Sequence, residues 1–381
     1  MSAPLAPQLR WQAVRRLLVV RPDNLGDVLM CTPALAALRS GLPRAHITLL
    51  TSPAAAAAAP HLTMLDAVWP QALPWVRAGL QAAAHAPAGL AERALLQRLA
   101  GSGFDAAVLF TSCTQSPLPA ALLCRLAGIP LVLAHCRENP YALLSDWVPE
   151  TDVVASGMRH EVQRQLALVA QVLGAQVAAL GADTRLRFVL RPADRAALAA
   201  RLALRLASAG LADPGAPARP LVLLHPGASA ASRRWPAERF GAAAAAIVAA
   251  RPQCRLVLVG GPDDRPLLQQ AAARLPPGTA ALVLADALPL GELGALIAQS
   301  AVLVANNSGP AHLAAALGTP VVSLYALTNP QHAPWGVPVR VLHQDVPCRW
   351  CLQSVCPELH HACLRGVTPL QAADAALALM D

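Results

Sequence analysis

Three short stretches of the chain join residue types that can do chemistry to residues that let a ligand come close. The first is RPDNLGD (21–27). Asp23 and Asp27 place two carboxylates there, each able to accept a proton from a hydroxyl, and Gly26 permits a tight turn beside them. A carboxylate so placed also caps a helix well, and the motif alone leaves both roles open. The second is NNSGPAHLAAALG (306–318). Ser308 suits a helix N-cap, Gly309 lets a ligand approach the backbone and Pro310 fits the first helical turn. The free amides and the helix dipole then face an anion, most naturally a diphosphate. His312, one turn in, is positioned for the same phosphate or a sugar hydroxyl. The third is HPGASAASRRWPAERF (225–240). Small residues around Ser229 lead to Arg233 and Arg234, and two adjacent guanidinium groups suit a doubly charged phosphate.

A fourth stretch, CRWCLQSVCPELHHAC (348–363), carries Cys348, Cys351, Cys356 and Cys363 with His360 and His361 between them. Four ligands of this kind make a closed structural zinc site with no open position for catalysis. A disulfide and plain reduced thiols are equally readable from the spacing.

The elements that must position these groups alternate between short aliphatic runs and longer Ala/Leu-rich segments of helical period. RRLLVVR (15–21), AHITLLT (45–51), FDAAVLF (104–110) and PLVLAH (130–135) read as buried strands, with helices over 28–42 and near 117–127. Segment 159–204 has helical period, interrupted by an extended TRLRFVL (184–190). The Pro/Gly-dense GLADPGAPARP (210–220) reads as a linker. The alternation then restarts with strands in 220–227, 254–264, 301–310 and 320–326 and helices over 236–250, 264–274, 311–317 and 368–380. Strands separated by helices imply parallel sheets covered on both faces. The fold class is therefore α/β with two domains, 1–209 and 221–381, and ligands are expected at strand carboxyl ends in a cleft between them.

Composition narrows the function further. All 30 basic residues are arginine, which excludes Schiff-base and pyridoxal-phosphate enzymes and the P-loop lysine. The formal charge of +8 favours anionic partners, yet the 3% aromatic content argues against a nucleic-acid stacking platform. With no signal peptide and no apolar run of membrane-spanning length, a cytoplasmic protein is expected.

RPDNLGDVLMCTPALAALRSGLPRAHITLLTS, RHEVQRQLALVAQVLG (159–174), HPGASAASRRWPAERF and VANNSGPAHLAAALGTPVVSLYALTNP together resemble glycosyltransferase family 9, the lipopolysaccharide heptosyltransferases. The resemblance covers most of the chain, in the family's order and spacing. It implies a GT-B architecture of two Rossmann-like domains facing across a cleft that closes on its substrates. The acceptor would lie on the first domain, near Arg21, Asp23, Asn24 and Gly26, and the nucleotide-sugar on the second. It implies metal-independent, inverting transfer from an ADP-heptose to the lipid A–Kdo inner core, at the inner face of the inner membrane. The family's base position falls on Asp27 and its phosphate-binding lysine on Arg233. Its donor-holding stretch falls on Asn307, Ser308, Gly309, Pro310 and His312. Two departures bear on the donor: arginine replaces that lysine, and Asn307 replaces an acid. They keep two alternatives in play, a different nucleotide-sugar and a non-catalytic nucleotide-sugar-binding protein.

Overall fold

The computed structural model describes residues 7–77, 87, 89–155, 157–174, 183–211, 219–286 and 288–381. The chain divides into two compact units, Met1–Arg187 and Phe188–Asp381.

In the first unit, β1 (Arg16–Arg21), β2 (His46–Thr51), β3 (Ala67–Pro70), β4 (Ala106–Leu109), β5 (Leu131–Cys136) and β6 (Asp146–Pro149) form one sheet of order β3-β2-β1-β4-β5-β6. Every pairing is parallel. Helices α1 (Pro7–Gln12), α2 (Leu25–Gly41), α3 (Leu90–Ala100), α4 (Leu118–Leu126) and α5 (Glu161–Leu173) flank its strands in the chain. The strands β1 and β2 are buried along all but their first residue, which is why they read as unbroken aliphatic runs. The order is that of the doubly wound dinucleotide fold, whose direction reverses between β1 and β4.

The second unit repeats the plan. Strands β7 (Leu221–His225), β8 (Arg255–Val259), β9 (Ala281–Leu284), β10 (Ser300–Asn306), β11 (Val321–Leu324) and β12 (Val339–Leu342) are ordered β12-β11-β10-β7-β8-β9, again all parallel. Its helices are α6 (Pro192–Ser208), α7 (Ala237–Ala250), α8 (Arg265–Ala272), α9 (Leu290–Ala298), α10 (Gly309–Leu317), α11 (Ala362–Arg365) and α12 (Pro369–Met380). The reversal here lies between β7 and β10. Small side chains let the layers pack closely: a Cβ on Gly241 of α7 would sit 1.9 Å from the Ala271 carbonyl oxygen of α8.

Two architectural details differ from the sequence reading. The boundary falls at Arg187/Phe188 rather than after residue 209, because α6 packs on α9 of the second unit. Arg201 Nε donates to Glu292 Oε2 at 2.6 Å, and Gly291 leaves room for the Asp194 carboxylate. Of the expected linker, residues 212–218 lie outside the described residues. In addition, 184–190 forms no strand. Among the described residues, no helix is long and apolar enough to cross a membrane.

Candidate active site

In the first unit, β1 runs into the loop that starts α2, and Arg21 ends that strand with its side chain only 1% exposed. Three carboxylates surround the guanidinium. Nε lies 3.1 Å from Asp23 Oδ2, Nη2 3.2 Å from Asp27 Oδ1, and Nη1 3.2 Å from Glu161 Oε1 of α5. Burial opposes the charge of Arg21, but the three carboxylates outweigh it and hold the group above its ordinary pKa. Arg21, expected on the acceptor side, is thus too buried to meet an acceptor and acts through its carboxylates.

The helix start explains the Asp27 position. α2 begins at Leu25 with Asn24 as N-cap, and the Asn24 amide donates to Asp27 Oδ2 at 3.2 Å. Gly26 is buried in the first turn. The capping role of Asp27 is therefore real, and it coexists with the ion pair to Arg21. The loop is also tied to β2, since Thr51 Oγ1 donates to the Arg21 carbonyl at 2.7 Å and Ser52 Oγ to the Asp23 carbonyl at 2.6 Å.

Asp23 faces the other way. It lines a cavity of about 270 Å³ at the carboxyl ends of β1 and β4, together with Trp75, Thr111, Thr114, Gln115 and Ser116. Asp23 Oδ1 accepts from Gln115 Nε2 at 2.7 Å. Burial pushes the Asp23 carboxyl up, Asp27 adds to this, and Arg21 and Gln115 only partly oppose it. The cavity wall is braced by a second buried ion pair: Arg164 Nε donates to Glu150 Oε2 at 2.6 Å, and Arg164 and Gln165 of α5 both donate to the Thr111 carbonyl. Glu150, Glu161, Arg164, Gln165 and Gln115 are site-building residues that the sequence reading did not single out. The available signal was Glu161, Arg164 and Gln165 falling on the same buried face of α5 as Leu168, Val169 and Val172.

In the second unit, the two strand-end motifs at 225–240 and 306–318 meet on one buried side chain. Asn306, 0% exposed, accepts from the Trp235 amide at 3.0 Å and donates to the Pro226 carbonyl at 2.7 Å. It ties the loop after β7, the Arg-Arg-Trp turn and the start of α10 together across the β7/β10 reversal. Trp235 is anchored by its Nε1–H on the Val367 carbonyl at 3.2 Å and by an edge-on contact with Phe240. Gly227 belongs there because a Cβ would lie 2.5 Å from the Asp264 carboxylate.

Ser308 is the N-cap of α10 in extended conformation, with Gly309 and Pro310 opening the helix and His312 buried within its first turns. Arg233 ends a short 3-10 turn, Ala231–Arg233, and is partly buried. Among the described residues no carboxylate pairs with it, and its Nε has no hydrogen-bond partner. It lies close enough to Tyr325 to favour the phenolate, although burial dominates and pushes that phenol up. The same Tyr325 oxygen is hydrogen-bonded to the Asn307 side chain. Arg234 is exposed and spends its Nε–H on the Ala228 carbonyl at 2.7 Å; Ser229 is exposed. A part-buried guanidinium without a carboxylate partner has the charge and the donors to receive an anion.

Residues 92–362 match the family model of glycosyltransferase family 9 (heptosyltransferase). The chain belongs to that family. It is 28% identical over 343 residues to lipopolysaccharide heptosyltransferase 1 of Pseudomonas aeruginosa, spanning 90% of this chain and 87% of that one. Lipooligosaccharide heptosyltransferase 2 of Campylobacter jejuni aligns over 68 residues only, 21% of its length. Among solved structures, a family 9 glycosyltransferase from Veillonella parvula superposes with a TM-score of 0.73 at 21% identity, covering 98% of this chain and 99% of that one. The Escherichia coli ADP-heptose LPS heptosyltransferase II superposes with a TM-score of 0.69 at 22% identity, over 96% and 98%. Two parallel Rossmann-like units are the GT-B plan, and as a family 9 member the chain is a glycosyltransferase.

The cysteine tail sits in the second unit beside this enzyme's Arg-Arg-Trp turn. Cys348, Cys351, Cys356 and Cys363 line one small cavity of about 20 Å³ with His360, His361 and Ser232, room for a single water or ion. Cys348 Sγ lies 3.9 Å from His360 Nε2, and all four cysteines are free thiols. Among the described residues no three of these groups converge tightly enough to coordinate a metal. The donor set suits zinc; its geometry here is gathered but open.

Proposed function

We propose that this enzyme moves a heptose or closely related sugar from an ADP-sugar to a hydroxyl of a lipopolysaccharide inner core or similar cell-surface glycan. The observation that carries the donor half is Arg233, a part-buried cation without a carboxylate partner, near the Tyr325–Asn307 pair and the start of α10. The resemblance to ADP-heptose enzymes supports the adenine nucleotide. In this reading Arg233 and the amides of the α10 start receive the charge of the departing diphosphate. A carboxylate of the Arg21 cluster, at the loop where the family's base falls on Asp27, takes the acceptor's proton. Direct displacement at the anomeric carbon inverts it. A net charge of +8 suits a cytoplasmic enzyme working at an anionic membrane face. Zinc at the cysteines would brace the tail, and no step runs through it.

Asn307 favours a second reading of the sugar. Its amide is hydrogen-bonded to Tyr325 and carries no charge, so a sugar other than heptose fits the same diphosphate site.

The test is the melting temperature against ADP-heptose, UDP-glucose and GDP-mannose. ADP-heptose should raise it most. In Arg233→Ala, affinity for ADP-heptose should fall roughly 10- to 150-fold, the equivalent of about 1.5–3 kcal/mol for a charged hydrogen bond. Arg234→Ala should matter less, because its guanidinium is engaged with its own loop. A stronger shift by UDP- or GDP-sugars would refute the donor, and equal losses in both variants would refute the role of Arg233.

A further inference from the structure

We propose that the cavity at the carboxyl ends of β1 and β4 receives an uncharged sugar ring of the acceptor and turns away an acidic one. The inference rests on the glycosyl-transfer reading above and narrows its acceptor. The cavity lies where strand direction reverses, the place at which such folds gather ligands, and its described walls belong to the first unit. At about 270 Å³ it is close to the lower end of the ~300–1,000 Å³ common for ligand pockets, the scale of one ring rather than a lipid.

The walls suit a neutral polyol. Trp75, Pro117 and Pro119 offer an apolar face for the C–H side of a ring, and Thr111, Thr114 and Ser116 offer hydroxyl partners. Gln115 is fixed within the wall: its Oε1 accepts from the Ser112 amide at 2.8 Å and its Nε2 donates to Asp23 Oδ1 at 2.7 Å. Thr114 and Ser116, both exposed, stand on either side of this braced residue.

The charge that the cavity meets is acidic. Asp23 lines it, and Ser116 Oγ donates to Glu138 Oε1 at 2.6 Å, a bond that holds the Glu138 carboxyl below its ordinary range. Among the described residues, no arginine or histidine lines it. Three arginines bonded to these walls are engaged. Arg21 pairs with Asp23, Asp27 and Glu161, and Arg164 with Glu150 and the Thr111 carbonyl. Arg137 donates to the Cys113 and Asp152 carbonyls. Arg77 follows the lining Val76 but is exposed and is not itself a wall residue. A sugar carboxylate or phosphate would lose water here and meet like charge in return. A neutral ring loses only hydroxyl hydration, which the wall hydroxyls replace.

The test compares ADP release from ADP-heptose at pH 7.5 onto octyl glycosides of three sugars: a heptose, the acidic Kdo, and the methyl ester of that Kdo, which keeps the ring and loses the charge. Wild type should favour the heptoside over the Kdo glycoside by roughly 100-fold in kcat/KM, and the ester should recover much of the difference. Thr114→Lys puts a cation at an exposed wall position and should raise the Kdo-to-heptoside ratio roughly 10-fold. Thr114→Met, which adds no charge, should leave the ratio where it is. Trp75→Ala should raise KM for the heptoside roughly 3- to 10-fold, with no matching rise in KM for ADP-heptose. A wild-type preference for the Kdo glycoside over its ester or over the heptoside would overturn the inference. So would a ratio unmoved in Thr114→Lys, or an unmoved heptoside KM in Trp75→Ala. Wild-type protein that binds no ADP-heptose, or releases ADP onto none of the acceptors, would instead remove the transfer reading, and this inference with it.

Discussion

Replacing Arg21 with methionine keeps most of the side chain's length and removes the one cation shared by Asp23, Asp27 and Glu161. The structure sets the magnitude. All three carboxylate oxygens lie 3.1–3.2 Å from the guanidinium, Arg21 is 1% exposed and Glu161 is 0% exposed. Breaking a buried pair from one side typically costs about 3–5 kcal/mol, because the remaining charge stays buried. For a unit of this size that corresponds to a melting temperature lower by roughly 6–20 °C. The sign of the pH dependence follows. Without Arg21 the carboxylates are easier to protonate, and protonation relieves their repulsion, so the gap to wild type should narrow as pH falls from 7.5 to 5.5. Arg21→Lys should recover little, since one ammonium cannot replace a fork whose Nε, Nη1 and Nη2 each meet a different acid. Thermal melts of the three proteins at both pH values make the check. A loss below about 1 kcal/mol at pH 7.5, or a gap that stays constant with pH, would refute the idea that Arg21 organises this cluster.

His135 is buried, and burial, reinforced by the Arg164 charge, lowers its pKa from 6.5 to about 4. Between those values the unfolded chain binds a proton that the folded chain refuses, so stability should fall with pH by about 3 kcal/mol across the window. His135→Gln should flatten that slope, and chemical denaturation at pH 7 and 4.5 would show it; an unchanged slope removes His135 from the account. At the cysteine tail, chelation of zinc from reduced protein should lower the melting temperature and leave low-temperature ADP release by the folded fraction intact. Folded, metal-free protein without turnover would contradict a purely structural metal, and metal-free protein as purified under reducing conditions would leave plain thiols.

The central strands were legible because burial on both faces leaves an unbroken aliphatic run, as in RLLVV of β1 and LVLL of β7. The edges were not. β3, β6 and β12 are four residues long with little fully buried, and β3 and β6 end in proline, so no clean run forms there; β9 (ALVL) does form an aliphatic run and was passed over. The domain boundary was misread for a related reason. Proline and glycine density marks stiff or sharply turning chain, whereas α6 belongs to the second unit through Arg201–Glu292, a contact between residues 91 apart. Polar and small residues at strand ends drew attention to the loop at 21–27, the Arg-Arg-Trp turn and the start of α10.

What local sequence could not show is which neighbour each polar group meets. Asn306 and Asn307 are adjacent and identical in type, yet the strand alternation sends one to Trp235 and Pro226 and the other to Tyr325. One asparagine therefore ties the loop after β7 to the end of β10, and the other meets Tyr325. The same separation divides Asp23 from Asp27. Their four-residue spacing is visible in the sequence, but Glu161 and Gln115, roughly 90 to 140 positions away, decide which of them faces a cavity and which holds a helix. A base assigned by motif position alone falls on Asp27. What each carboxylate touches separates their structural roles: Asp27 Oδ2 accepts from the Asn24 backbone amide at the start of α2, and Asp23 Oδ1 accepts from Gln115 on the cavity wall.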